Sequence, residues 1–220
     1  MALKIGVVAQ KGGVGKSTLS RMIACEYASS GWEVKIADMD TAQSTCFEWQ
    51  EKRLERGIEP TVSVEQFKSV SRVLRIEDKY DLIAFDGAPR ATATTEDIAR
   101  VSDLVIIPTG VAEDDLFPTI RLAHELKSRE INREKIAIAF CRVGKSPIEI
   151  EEATEFVEKA GYYILGGAIP ESTGYRRAHD AGKCATETRF KSLNEKAWGL
   201  MQSIVDRVEA LTTPVAAYHG

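Results

Sequence analysis

Nine residues near the start of the chain, Gln10-Lys11-Gly12-Gly13-Val14-Gly15-Lys16-Ser17-Thr18, hold its densest chemistry. Glycines at this spacing let backbone N–H groups turn inward and approach anionic oxygens with no Cβ in the way. A helix that begins directly after them aims the positive end of its dipole at the same place. Lys16 adds a full charge where β- and γ-phosphates would lie, and the Ser17 hydroxyl is placed for magnesium. The ordinary phosphate-loop pattern wants glycine five residues before Gly15; here that position is Gln10, and a second lysine, Lys11, precedes the glycine pair.

Other reactive side chains follow apolar runs. Asp38-Met39-Asp40 comes after the run at 32–37, and Asp86 closes the run at 81–85. An aspartate ending a buried strand beside a phosphate loop suits the metal side of such a site, through a magnesium-bound water. Cys25, Cys46, Cys141 and Cys184 form no Cys-x-x-Cys pair, which argues against a zinc site or a disulfide framework and for reduced, buried thiols. His124, His179 and His219 are equally scattered and suggest no chemistry.

The elements that must position these residues alternate. Apolar, β-branched runs at 4–9, 32–37, 81–85, 104–107, 136–140 and 162–168 read as strands or extended segments. Helical spacing appears at 17–30, 43–56, 64–79, 94–101, 116–129, 148–160 and 191–211. In the last of these Trp198, Met201, Ile204, Val205 and Val208 fall at core spacing. The alternation predicts an α/β fold, a mostly parallel twisted sheet with helices on both faces, in which ligands bind at the carboxyl ends of the strands. One domain is expected over 1–211, with a frayed tail at 212–220.

The 220 residues carry a net charge of −4 and a pI near 5.6, so any nucleic-acid contact needs a local basic patch. The apolar runs are too short to span a bilayer, and the N-terminus does not read as a signal peptide, so a cytoplasmic address is expected.

Lys11–Thr18 resembles the deviant Walker A motif of the ParA/MinD family of ATPases. Three companions agree in order: Asp38-Met39-Asp40 with Gln43, the Walker B run 81–89 ending Asp86-Gly87-Ala88-Pro89, and Ile169-Pro170-Glu171-Ser172 with Tyr175, Arg176 and Ala178. The similarity runs over about residues 4–182 and is strongest toward a small ParA, a chromosome or plasmid partition ATPase.

The resemblance implies a phosphate-loop fold, ATP or ADP with Mg2+, and a phosphate site of Lys11, Gly12, Gly13, Val14, Gly15, Lys16, Ser17 and Thr18. It implies Ser17 and Asp86 on the metal, Asp40 orienting the attacking water, and Lys11 reaching a partner's nucleotide in an ATP-sandwich homodimer. Segments 38–43 and 86–95 would be the switches that lose their hold when the γ-phosphate leaves. Pro170 and Glu171 are candidates on the base side. The chain departs from the family at Ala42, where proline is common, and at Phe140-Cys141-Arg142, where an asparagine near the base is frequent.

The implied activity is slow ATP hydrolysis, stimulated by a ParB-like or other activating protein. The phosphate loop begins too early to leave room for an N-terminal helix-turn-helix domain, so nonspecific DNA binding by the ATP dimer and a nucleoid-associated position are expected. Candidate DNA contacts are Arg176, Arg177, Lys183, Arg189, Lys191 and Lys196, interrupted by acids. Such contacts would lose roughly tenfold or more in affinity between 50 and 200 mM salt. The alternative is a MinD-like membrane-associated regulator, although the C-terminal segment lacks the basic amphipathic character of a membrane anchor. A metabolic ATP-dependent ligase is a third possibility.

Overall fold

In the computed structural model, which describes residues 1–41, 45–89 and 93–213, the apolar runs pair edge to edge as parallel strands. The seven are β1 (Leu3–Ala9), β2 (Val34–Asp38), β3 (Ser63–Gln66), β4 (Leu82–Pro89), β5 (Leu104–Thr109), β6 (Ile136–Val143) and β7 (Tyr163–Pro170). They lie in the order β3-β2-β4-β1-β5-β6-β7. Strands covered on both faces have no polar side to show, so β5 reads Leu-Val-Ile-Ile-Pro-Thr and is buried throughout.

Helices fill both faces. Over one lie α1 (Lys16–Ser29), α2 (Thr45–Glu55), α7 (Thr173–Asp180) and α8 (Lys191–Thr212), which contribute Leu19, Trp49, Tyr175 and Leu200 to one core layer. Over the other lie α3 (Val70–Leu74), α4 (Ala93–Val101), α5 (Glu113–Ser128) and α6 (Pro147–Lys159), with Val73, Ile98, Leu122 and Val157. The α8 backbone sits directly on β7: a Cβ at Gly167, whose φ is +82°, would come within 2.9 Å of the Leu200 nitrogen. None of the described helices is long and apolar enough to cross a membrane.

Two expectations are corrected. The span 64–79 is not one helix: Ser63–Gln66 is the edge strand β3, and only Val70–Leu74 and a 3-10 turn at Glu77–Lys79 are helical. Val62 and Val64 are both buried while Glu65 is exposed, a period of two that the longer helical pattern hid. Pairing with β2 then decides the matter, with Lys35 Nζ 2.9 Å from Glu65 Oε2 across the strands. Trp198 is not core; it is 48 % exposed. The buried stripe of α8 is Ala197, Leu200, Met201, Ile204 and Val208, and Trp198 stands about 100° round the helix from Ala197. Ala42 and Gln43, part of the segment 86–95, and the tail from 214 lie outside the described residues.

Candidate functional site

The carboxyl ends of β1, β2, β4, β6 and β7 surround a cleft of about 330 Å³. Its floor is the loop between β1 and α1. Gly15 is the N-cap of α1 at φ 111°, a left-handed conformation, and supplies no side-chain cap to the first-turn amides. A Cβ there would lie 3.0 Å from that of Cys141, so any other residue would be strained twice over. The loop can therefore offer uncapped backbone N–H groups to an anion.

Lys16 is buried, and its ammonium donates to the Lys11 carbonyl at 3.1 Å. Burial pushes its pKa below the ordinary lysine value, while the charges of Asp86 and Asp40 oppose that shift. Beside it the register of β2 and β4 sets Asp38 opposite Asp86. Asp86 is the hub of this side. Its Oδ2 accepts from Ser17 Oγ at 2.7 Å and from Cys46 Sγ at 3.1 Å, and its Oδ1 accepts from Ser20 Oγ at 3.2 Å.

Asp38 accepts from the backbone N–H of Asp40 at 3.0 Å and of Cys46 at 3.3 Å. Burial, then the neighbouring Asp86 charge, push its carboxyl up to about 6. Burial and the same aspartate raise the Cys46 thiol well above its usual value, so it stays protonated and donates. The groups in reach of a cation are therefore hard oxygens, which fit magnesium.

At the opposite wall stand Pro170, the last residue of β7, and Glu171 after it, with Arg142 and Arg176. Arg142 Nε donates to Glu171 Oε2 at 2.7 Å and its Nη1 to the Gly13 carbonyl at 2.9 Å; Arg176 Nη1 donates to Glu171 Oε1 at 3.2 Å.

Of the expected phosphate-site residues, Gly12, Gly13, Gly15, Lys16, Ser17 and Thr18 line the cleft, as do Asp40 and Asp86. Val14 and Lys11 line no part of it. Val14 is buried, and Lys11 Nζ is paired with Asp115 Oδ1 of the same chain at 2.9 Å. Cys46, Arg142, His179 and Asp115 were not singled out by motif or spacing, because each is brought to the site by an element distant in sequence; Ser20, one turn after Ser17 on α1, lies just past the motif. Arg142 alone left a trace, as the departure at 140–142.

The six candidate DNA contacts are all exposed. Arg176 and Arg177 ride on α7 and Lys191 and Lys196 on α8, whose beginnings touch where a Cβ at Gly174 would meet Leu193 at 2.5 Å. Arg176 is held by Glu171, Lys191 lies 3.8 Å from Glu195, and Arg189 sits over the Phe190 ring at 4.7 Å.

A model of the CobQ/CobB/MinD/ParA nucleotide binding domain matches residues 5–184. No curated protein matches the chain. Solved structures are similar along its length. Apo McdA of Cyanothece has a TM-score of 0.74 at 16% identity, covering 93% of this chain and 100% of that one. The septum site-determining protein MinD of Pyrococcus horikoshii OT3, complexed with Mg-ADP, gives 0.71 at 17%, with 97% and 100% covered. The pNOB8 ParA bound to nonspecific DNA gives 0.62 at 18%, with 94% and 99% covered. At such identities the likeness is one of fold.

Proposed function

Because the chain belongs to the CobQ/CobB/MinD/ParA family of nucleotide-binding domains, we propose that it is an ATP- and magnesium-dependent molecular switch. In this reading it dimerises with ATP, binds DNA without sequence preference and hydrolyses ATP slowly until a partner protein stimulates it. The work of the switch is to partition or position plasmid or chromosomal DNA, or other cargo. The observation that carries the reading is Ser17 Oγ donating to Asp86 Oδ2 at 2.7 Å beside an uncapped glycine loop, an oxygen pair set where phosphate and metal would meet.

Ser17 and Asp86 would hold magnesium, Asp86 through a bound water, and the ion would neutralise charge on the phosphoryl group being transferred. The loop amides and Lys16 bind the phosphates. Asp40, buried at the cleft wall, orients a water for in-line attack, a matter of position and field rather than covalent chemistry. Lys11 leaves Asp115 and reaches the nucleotide of a second copy, so that hydrolysis depends on assembly. The exposed basic residues of α7 and α8 would be doubled across a dimer and would meet DNA phosphates, and the nonspecific DNA bound to pNOB8 ParA, of the same fold, supports a DNA-binding role.

The test is Asp40→Ala. Magnesium-dependent ATP affinity is expected to persist, single-turnover hydrolysis to fall by roughly 100-fold, and an ATP-bound dimer that co-sediments with random-sequence DNA to accumulate. Hydrolysis at the parent rate would remove Asp40 from its role. Absence of any adenine-nucleotide affinity in the parent protein, by calorimetry, would remove the whole reading.

A further inference from the structure

The apolar rhythm of α8 is broader than the core it serves. Ala197, Leu200, Met201, Ile204 and Val208 are buried, yet Trp198 is 48% exposed and Val205 only partly buried. Trp198, Met201, Val205, Val208 and Thr212 fall three and four residues apart, a second stripe along about 21 Å of helix. That stripe is one wall of a groove of about 780 Å³. The groove lies at the amino ends of the neighbouring strands β1 and β5, about 20 Å along β1 from the nucleotide cleft.

The facing wall is the last turn of α1 and the residues after it. Tyr27 and Trp32 meet edge to face, ring centres 4.9 Å apart at 69°, and Trp32 is 40% exposed. Of the three tryptophans in the chain Trp49 is buried, and the other two stand open in this one groove. Single apolar residues on a surface are ordinary, whereas clustered tryptophans mark a place that another molecule covers. The charged side chains of the lining are Glu26, Asp103, Glu209 and Lys4. Lys4 is engaged inside the fold, its Nζ donating to Glu77 Oε2 and to the Ala2 carbonyl, each at 3.0 Å. Burial, then the Glu209 charge, raise the pKa of the Tyr27 phenol, which sets that carboxylate close to the aromatic wall. Aromatic surface is thus joined to an excess of carboxylates.

We propose that this groove docks a cationic amphipathic helix of another protein, its apolar stripe against Trp32, Trp198 and Val205 and its Lys or Arg side chains on Glu26, Asp103 and Glu209. A helix laid in an apolar groove presents anchors at i, i+3, i+4 and i+7, the rhythm that α8 offers from its own side. Tryptophan faces attract Lys and Arg, and carboxylates at the edge favour a basic partner over an acidic one. The sign of the charge sets other occupants aside. A second copy in a twofold contact would bring the same carboxylates face to face. An anionic lipid surface would be repelled. Residues 214–220 of this chain contain no Lys or Arg. The groove shares no lining residue with the nucleotide cleft, so docking is measurable with or without nucleotide.

The probe is a labelled synthetic helical peptide of about 18 residues, with Leu at i, i+3, i+4 and i+7 spacing, Lys on its flanks and no Trp. Anisotropy of the label and the protein's own tryptophan emission are read together, without nucleotide. Micromolar affinity is expected, with a blue shift as Trp32 and Trp198 leave water while buried Trp49 stays constant. Trp198→Ser and Glu209→Lys should each weaken binding by about tenfold or more, and urea unfolding should show both variants folded. Glu158→Lys makes the same charge change at an exposed site on α6, over the other face of the sheet, and should stay within about twofold of the parent. A peptide with Glu in place of Lys should not bind. No binding, binding without an emission shift, or equal weakening by Glu158→Lys would overturn the proposal. So would loss of a nucleotide-free dimer in Trp198→Ser, which gives the groove to a second copy, or a red shift on deleting 214–220, which gives it to the chain's own end.

Discussion

His179 shows what a single residue acquires from its surroundings. Its Nε2 is buried with no hydrogen-bond partner among the described residues, and burial, then the nearby Arg21 charge, push its pKa down to about 4. The folded-state value lies below the unfolded value of about 6.5, so on acidification the unfolded chain takes up the proton first. Stability from this group is therefore present above pH 6.5 and lost as pH falls toward 4, up to about 3 kcal/mol. His179→Leu should flatten the urea-unfolding free energy over that window. Parallel decline of parent and variant would show that the loss arises elsewhere. Nothing in the sequence marked this histidine, because the burial that matters comes from the α1–α2–α7 packing rather than from its neighbours in the chain.

At the scale of elements, Arg53 joins α2 to the turn between α7 and α8. Its side chain is fully buried; Nη1 and Nη2 grip Glu187 at 2.7 and 2.8 Å, while Nε and Nη1 donate to the Pro60 and Gly182 carbonyls. Burial alone would raise the Glu187 carboxyl, but the Arg53 hydrogen bond and charge, with the Cys184 N–H, hold it below the usual range. Removing one partner leaves the other charge buried, so Arg53→Met should cost about 3–5 kcal/mol in urea unfolding. The double variant Arg53→Met with Glu187→Leu should recover part of that loss, since apolar groups of similar volume tolerate the site. An equal loss in both would place the stability in the carbonyl bonds instead. The strand β3 teaches the same lesson from the other side. Its four residues are too few to announce themselves, and the edge of β2 is what draws them out straight.

For the whole molecule, the informative contact is the pair Lys11–Asp115, 2.9 Å apart and 41% and 32% exposed. In the proposed dimer Lys11 must leave this partner for another chain. A half-exposed pair is worth less than about 1 kcal/mol and a dimer breaks two of them, so Asp115→Asn should strengthen ATP-dependent dimerisation by up to about thirtyfold in sedimentation experiments. Weaker dimerisation would mean that Asp115 instead aims Lys11 at its target.

The glycine loop before α1, the strand–helix alternation and the acids after the apolar runs were legible in the sequence because each is local. Glycine spacing, apolar runs and an aspartate closing a run state their geometry within a few residues, as Gly12–Ser17 and Asp86 do. Only the tertiary structure decided that Cys46 would donate to Asp86 from 40 residues away, that Arg142 would reach back 129 residues to Gly13, and that Trp198 would face outward. Those outcomes depend on strand order, a bulge and the angle at which a helix lies on a sheet. Such quantities are fixed by the packing of distant segments, so no local pattern of residue types encodes them.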